Sequence, residues 1–191
     1  GLGDLPLIPG GSGIEELANL SQYQVNNLIS HWQDIEQQYD IILIDTGAGL
    51  SETVLDFVLA ADEIIILSTP EPTSITDAYG VIKVISNHDA KAKIKIVINQ
   101  VEKKNEGKKI SQRLANTAED FLDLEIEFLG ELPKDQAVVK AVKKRRPFFL
   151  EYPKANVVKQ INKIVNKLID NNQDKSKGIT GFFSNLLGLS N

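Results

Sequence analysis

Four short apolar runs, Ile41–Ile44, Glu63–Leu67, Ile94–Ile98 and Glu125–Leu129, are separated by stretches with helical periodicity. The unbroken run Ile41–Ile44 needs cover on both faces, and short strands spaced by helices connect in parallel. The pattern therefore predicts an α/β architecture, a doubly wound and mainly parallel sheet with helices packed on it. A chain of 191 residues with 42% hydrophobic composition suffices for one such domain with a core of its own.

The intervening segments carry start and stop signals. Leu5–Ile8 reads as a short strand, and Ser12-x-x-Glu15 and Ser21-x-x-Gln24 have capping-box spacing. Val25, Leu28, Ile29, Trp32 and Ile35 then share one helical face. Ser51 is expected to cap a helix with Val54, Leu55 and Val58 inward; Pro70 and Pro72 end the Glu63–Leu67 strand, and Thr73 or Ser74 opens a helix carrying Ile75, Ala78, Ile82 and Ile85. Further helices are expected over Lys108–Leu122, Lys134–Arg145 and Pro153–Ile169. Residues 171–178 (NNQDKSKG) are polar and linker-like, and beyond them Ile179, Phe182, Phe183, Leu186 and Leu187 fall at i, i+3, i+4, i+7 and i+8, an apolar stripe on a short helix over 179–190.

Chemistry concentrates in Tyr39–Thr53 (YDIILIDTGAGLSET), where an apolar run ends in Asp45 and a glycine-bearing loop opens a helix. A carboxylate and flexible loop at a strand end can order the water shell of Mg²⁺ beside a phosphate. Such an aspartate equally serves as a helix cap or a substrate contact in other doubly wound folds. Charge bears on the choice. Residues 1–82 contain 13 acidic side chains and no Lys or Arg, whereas 83–191 hold all 21 basic residues. A triphosphate needs cationic partners, so either a preceding segment brings lysines or Asp45 lies on a solvated acidic face. With no cysteine, disulfides and thiolate chemistry are excluded, and no apolar run approaches the ~20 residues of a membrane-spanning helix.

The segments PGGSGIEELANLS (Pro9–Ser21), IDTGAGLSETVLDF (Ile44–Phe57), TPEPTSITDAY (Thr69–Tyr79), VINQV (Val97–Val101) and LGELPKDQAVVKAV (Leu129–Val142) occur in the order seen in MinD/ParA-like P-loop ATPases. The chain resembles that family, closest to its flagellar-number regulators of the FlhG/FleN type. The family's phosphate loop, a glycine-rich turn with two lysines near the N-terminus, has no counterpart here. Gly10-Gly11-Ser12-Gly13 has no lysine after it, and Gly107-Lys108 has Glu102 where the first glycine belongs and Lys109 where Ser or Thr belongs. The sequence contains no methionine, so the chain is expected to be the C-terminal part of a longer protein: residues 1–170 from the ATPase domain, 171–178 a linker and 179–190 a membrane-targeting helix.

The resemblance implies ATP and Mg²⁺ as cofactors, with Asp45 orienting the metal through water and Thr46, Gly47 and Gly49 in the loop that senses the γ-phosphate. It implies that Asn99 offers its amide to the adenine edge, although Gln100 replaces the basic residue that many relatives carry next. Pro133 and Asp135 would line the base pocket, and Asp135 could equally be only the N-cap of the next helix. An ATP-bound homodimer, attached through Ile179, Phe182, Phe183, Leu186 and Leu187 to the inner face of the cytoplasmic membrane and meeting flagellar-assembly proteins rather than nucleic acid, is the expectation. The basic run Lys143–Arg146 and the Lys159, Lys163, Lys167 row are read as solvated helix surface that could add attraction to anionic lipid. A non-enzymatic module binding a membrane or a partner, and a division-site or chromosome-partition ATPase, stand as alternatives.

Overall fold

The computed structural model describes residues 37–49, 51–88, 93–170 and 178–186. The chain divides into two compact units, Gly1–Ala60 with Lys177–Asn191, and Ala61–Ser176. The expected Leu5–Ile8 strand, the two capping boxes, the Val25–Ile35 helix face, the linker up to residue 177 and Leu187 lie outside the described residues.

In the Ala61–Ser176 unit, strands β1 (Glu63–Ser68), β2 (Lys93–Val101) and β3 (Ile126–Pro133) form a parallel sheet in the order β1-β2-β3. Helix α2 (Pro72–Ser86) packs on β1, and α3 (Glu106–Leu122) on β2 and β3. Two short helices follow, α4 (Gln136–Lys143) and α5 (Phe148–Glu151), and α6 (Asn156–Asp170) closes on β3. Parallel strands alternating with helices are the architecture expected of the sequence. The core includes the β-branched side chains of the central strand, Ile94, Ile96 and Ile98, together with Ile82 and Ile85 of α2 and Leu114 and Ala118 of α3. Each such burial contributes roughly 1.5–3 kcal/mol relative to exposure, Ala118 less.

Several boundaries moved for identifiable reasons. α2 opens at Pro72, whose missing N–H is no loss in a first turn, while Ser74 turns back so that its Oγ accepts from Thr69 N at 3.0 Å and meets Ser68 Oγ at 3.0 Å. α6 begins at Asn156, three residues after Pro153, and β3 runs on to Pro133. Within β3 the register passes from Ile96↔Phe128 to Val97↔Gly130, so Leu129 is the extra residue of a bulge. Its carbonyl accepts instead from Lys167 Nζ at 2.9 Å, and the same ammonium lies 5.8 Å from the Phe128 ring centroid. Lys167 thus departs from the solvated row expected of it and ties α6 to the sheet. Gly130 makes that closeness possible: a Cβ there would sit 2.6 Å from Ile164 Cγ1.

Among the described residues one charged side chain is buried. Lys95 of β2, 1% exposed, donates to Glu63 at 2.8 Å, with Glu127 at 4.0 Å on the other neighbouring strand. Charges leave water only when paired in this way.

In the other unit, Ser51 caps α1 (Glu52–Ala60) as expected, its Oγ accepting from Val54 N at 3.3 Å. Helix α7 (Gly178–Leu186) packs on α1, with the Phe57 and Phe182 rings 5.9 Å apart. The expected strand Ile41–Ile44 is not formed. Residues 41–47 have no regular structure, and Ile41, Ile42, Leu43 and Ile44 are exposed by 56, 41, 82 and 42%. A strand exists through the hydrogen bonds of a neighbour, and among the described residues none pairs with this run.

Candidate functional site

Open parallel sheets bind ligands outside the carboxyl ends of their strands, and the ends of β2 and β3 meet there. Ile98 pairs with Glu131 and Val101 with Pro133, so β2 carries one residue too many between these points. The surplus falls at Asn99–Gln100, where Gln100 takes φ +60 and its N–H donates to Asn99 Oδ1 at 2.9 Å. A non-glycine residue in the left-handed region costs of order 1 kcal/mol and is held there by its surroundings. Lys134 N donates to Val101 O at 3.0 Å, joining the loop after β3 to the end of β2. The structure therefore brings Asn99, Pro133 and Asp135 to one edge.

Asp135 uses both carboxylate oxygens. Oδ1 accepts from Ala137 N at 2.9 Å, capping α4, and Oδ2 accepts from Val157 N at 3.3 Å in the first turn of α6. Two helix starts with their positive dipole ends share one anion. Beside it opens a cleft of about 530 Å³ lined by Asp135, Ala137, Lys140, Tyr152, Pro153 and Asn156 among others.

A second carboxylate at this edge was not singled out from the sequence. Glu131 Oε1 accepts from Asn105 N at 2.9 Å and Oε2 from Lys108 N at 3.3 Å, holding the start of α3. Gly107 is what admits it, because a Cβ there would approach Glu131 Cβ to 2.7 Å. Glu106 accepts from the N–H groups of Glu102 and Lys103, and these hydrogen bonds, led by that of Glu102, hold its carboxyl below the usual range. Lys134 pairs with Glu102 at 3.1 Å. The sequence signal was the GK pair at Gly107-Lys108, which reads as a broken phosphate loop but serves close packing.

Asp45, Thr46, Gly47 and Gly49 belong to the other unit and are exposed. Gly49 has φ +108, a conformation that favours glycine, and a Cβ on Gly47 would meet nothing within 4 Å, so the loop backbone is open to approach. One accessible carboxylate with an open glycine loop suits an ion that keeps its own waters, as Mg²⁺ does. Among the described residues no group of three or more His, Asp or Glu could enclose a metal, and residues 37–60 offer no cation for phosphates. Of the tail residues, Phe182 is 9% exposed against α1 and Leu186 is half-buried.

Comparison with known proteins bears on the family and the fold. A family model described as ParA, NUBPL iron-transfer P-loop NTPase, matches residues 21–169. The antiactivator FleN of Pseudomonas aeruginosa is 33% identical over 81% of this chain and 55% of its own length. The flagellum site-determining protein YlxH of Helicobacter pylori is 30% identical over 96% of this chain and 64% of its own. The chain therefore spans between about half and two thirds of these relatives. Among solved structures, the MinC:MinD cell division complex of Aquifex aeolicus superposes with TM-score 0.57 at 23% identity, over 79% of this chain and 61% of that one, which speaks for the fold alone. With the family model covering most of its length and a parallel MinD-like sheet beneath it, the chain belongs to the ParA/MinD-like family of P-loop NTPases.

Proposed function

We propose that this chain is part of an ATP-driven dimerisation switch that sets flagellar number or placement and attaches reversibly to the cytoplasmic face of the membrane. The observation that carries the proposal is the similarity to two flagellar regulators over 81% and 96% of the chain. Septum site-determining MinD proteins also match, one from Synechocystis at 30% identity over 78% of the chain, and keep a division-site role as the second reading.

In this reading Asp45 holds the water shell of Mg²⁺, which supplies charge neutralisation at the phosphates, and the Thr46–Gly49 backbone follows the γ-phosphate. Asn99 presents donor and acceptor to the base edge, and Pro133 contributes backbone to the base pocket. Asp135 positions this loop through its two helix caps. ATP joins two subunits, the tail stripe of Ile179, Phe182, Phe183, Leu186 and Leu187 meets lipid, and two tails per particle multiply a weak affinity. Hydrolysis reverses the sequence. Among the described residues no helix is long and apolar enough to cross a membrane.

Taken alone, the 191 residues fit a non-enzymatic module, because the Asp45 half carries no Lys or Arg to face a triphosphate. The test separates the two. Calorimetry on this chain should show negligible MgATP binding, whereas the complete protein should bind and hydrolyse it. Asp45→Ala in the complete protein should lower hydrolysis by at least about tenfold through lost metal positioning. Full activity in that variant would sink the assignment.

A further inference from the structure

The hairpin formed by α4 and α5 joins two properties that no part of the nucleotide reading uses. Val139, Val142, Phe149 and Leu150 are exposed by 45, 67, 51 and 56%. Residues 136–154 carry six basic side chains and one acidic one. That one acid, Glu151, engages Lys144 at 3.1 Å and Arg146 at 3.4 Å, and Lys144 also lies 5.5 Å over the Tyr152 ring. Lys140, Lys143 and Arg145 have no carboxylate within ion-pair distance among the described residues. Arg145 turns the chain through φ +54, and Tyr152 N donates to Phe148 O at 2.7 Å, so the hairpin is a built feature.

We propose that the α4–α5 hairpin is a contact for an anionic lipid surface, separate from the tail helix. The first argument is exposure. A groove that receives a peptide shields its own walls, yet Val142, Phe149 and Leu150 each leave at least half their surface clear of the protein. Side chains that enter a deformable apolar phase stand clear in this way. The second is charge. Cations interleaved with apolar groups over one short stretch can sit at headgroup level while the apolar groups reach below it, and the attraction to anionic lipid grows with each Lys or Arg near the surface. The proposal shares a membrane with the tail reading but none of its residues.

The chain contains no cysteine, so Leu150→Cys and, separately, Leu186→Cys each carry one environment-sensitive fluorophore in the full chain. The probes are vesicles of phosphatidylcholine with and without phosphatidylglycerol. The label at 150 should shift to the blue on phosphatidylglycerol vesicles only, and should still do so with Phe183→Glu in the tail. Lys143→Glu with Arg145→Glu, both at exposed positions, should weaken partitioning about tenfold or more. A silent label at 150 beside a responsive one at 186 overturns this proposal and leaves the tail reading standing. A responsive label at 150 beside a silent one at 186 does the reverse. A shift at 150 that grows with protein concentration without vesicles means that a second copy covers the hairpin, and an equal shift on neutral vesicles removes the role of charge; either outcome overturns the proposal.

Discussion

Ile41–Ile44 and Ile94–Ile98 are nearly the same kind of sequence, yet they have opposite fates. In β2, Ile94, Ile96, Val97 and Ile98 are between 0 and 4% exposed, while Ile41–Ile44 stand exposed by 41–82% without regular structure. The difference lies in the neighbours. β2 is central, hydrogen-bonded by β1 on one side and β3 on the other. Its N–H and C=O groups are satisfied in the sheet, so its side chains can leave water with them. Apolar sequence supplies the drive toward burial, and paired backbone supplies the permission.

Hydrogen exchange offers the largest test of that contrast. Amides of Ile94–Ile98 should be protected by at least about a thousandfold, the scale of global unfolding in a marginally stable domain. Those of Ile41–Ile44 should exchange close to the free-chain rate. Comparable slow exchange in both, in a monomer, would mean that the run has found a strand partner.

Side-chain truncation sharpens the same contrast at the level of energy. Ile96→Ala should destabilise the folded sheet by about 2–5 kcal/mol, as deletions from packed cores do, whereas Leu43→Ala should change stability by less than about 0.5 kcal/mol. Urea denaturation followed by far-ultraviolet circular dichroism reads both. A large effect at Leu43 would show that its exposure does not describe its environment in solution.

The smallest effect is expected from acid. Hydrogen bonds from Glu102 and Lys103 depress Glu106, and a hydrogen bond from Lys144 depresses Glu151, both below their ordinary 4.5. A depressed folded value means stability that is full above the ordinary value and lost as pH falls through the lower one. Titration from pH 5 downward should therefore loosen the start of α3 and the α4–α5 hairpin while β2 stays protected. Residue-resolved NMR would follow it, and simultaneous loss of both regions and β2 would contradict the order.

Much of the fold was legible because it rests on local signals. Helices α1 and α2 follow from the Ser51 cap, the proline break and the periodic Ile82 and Ile85, α3 matches the helix expected over Lys108–Leu122, and of the four strands expected among the described residues three formed. What the sequence concealed depends on partners far along the chain. Lys95 reads as a polar interruption until Glu63 and Glu127 flank it. Lys167 reads as one of a solvated row until the Leu129 carbonyl, freed by a bulge, claims it. Of the candidate site, Asn99 falls near the end of β2, Pro133 ends β3 and Asp135 follows it, while the left-handed Gln100 comes from the register shift between β2 and β3 and Glu131 showed in the sequence only through the Gly107-Lys108 pair it packs against.

Asp135 has one further consequence. Because one carboxylate holds the first turns of both α4 and α6, these helices share a pivot set directly behind the Pro133 loop. The Pro133 loop is therefore fastened to two elements at one point, to the α4–α5 hairpin through α4 and to the sheet through α6, where a Cβ on Gly130 would sit 2.6 Å from Ile164 Cγ1.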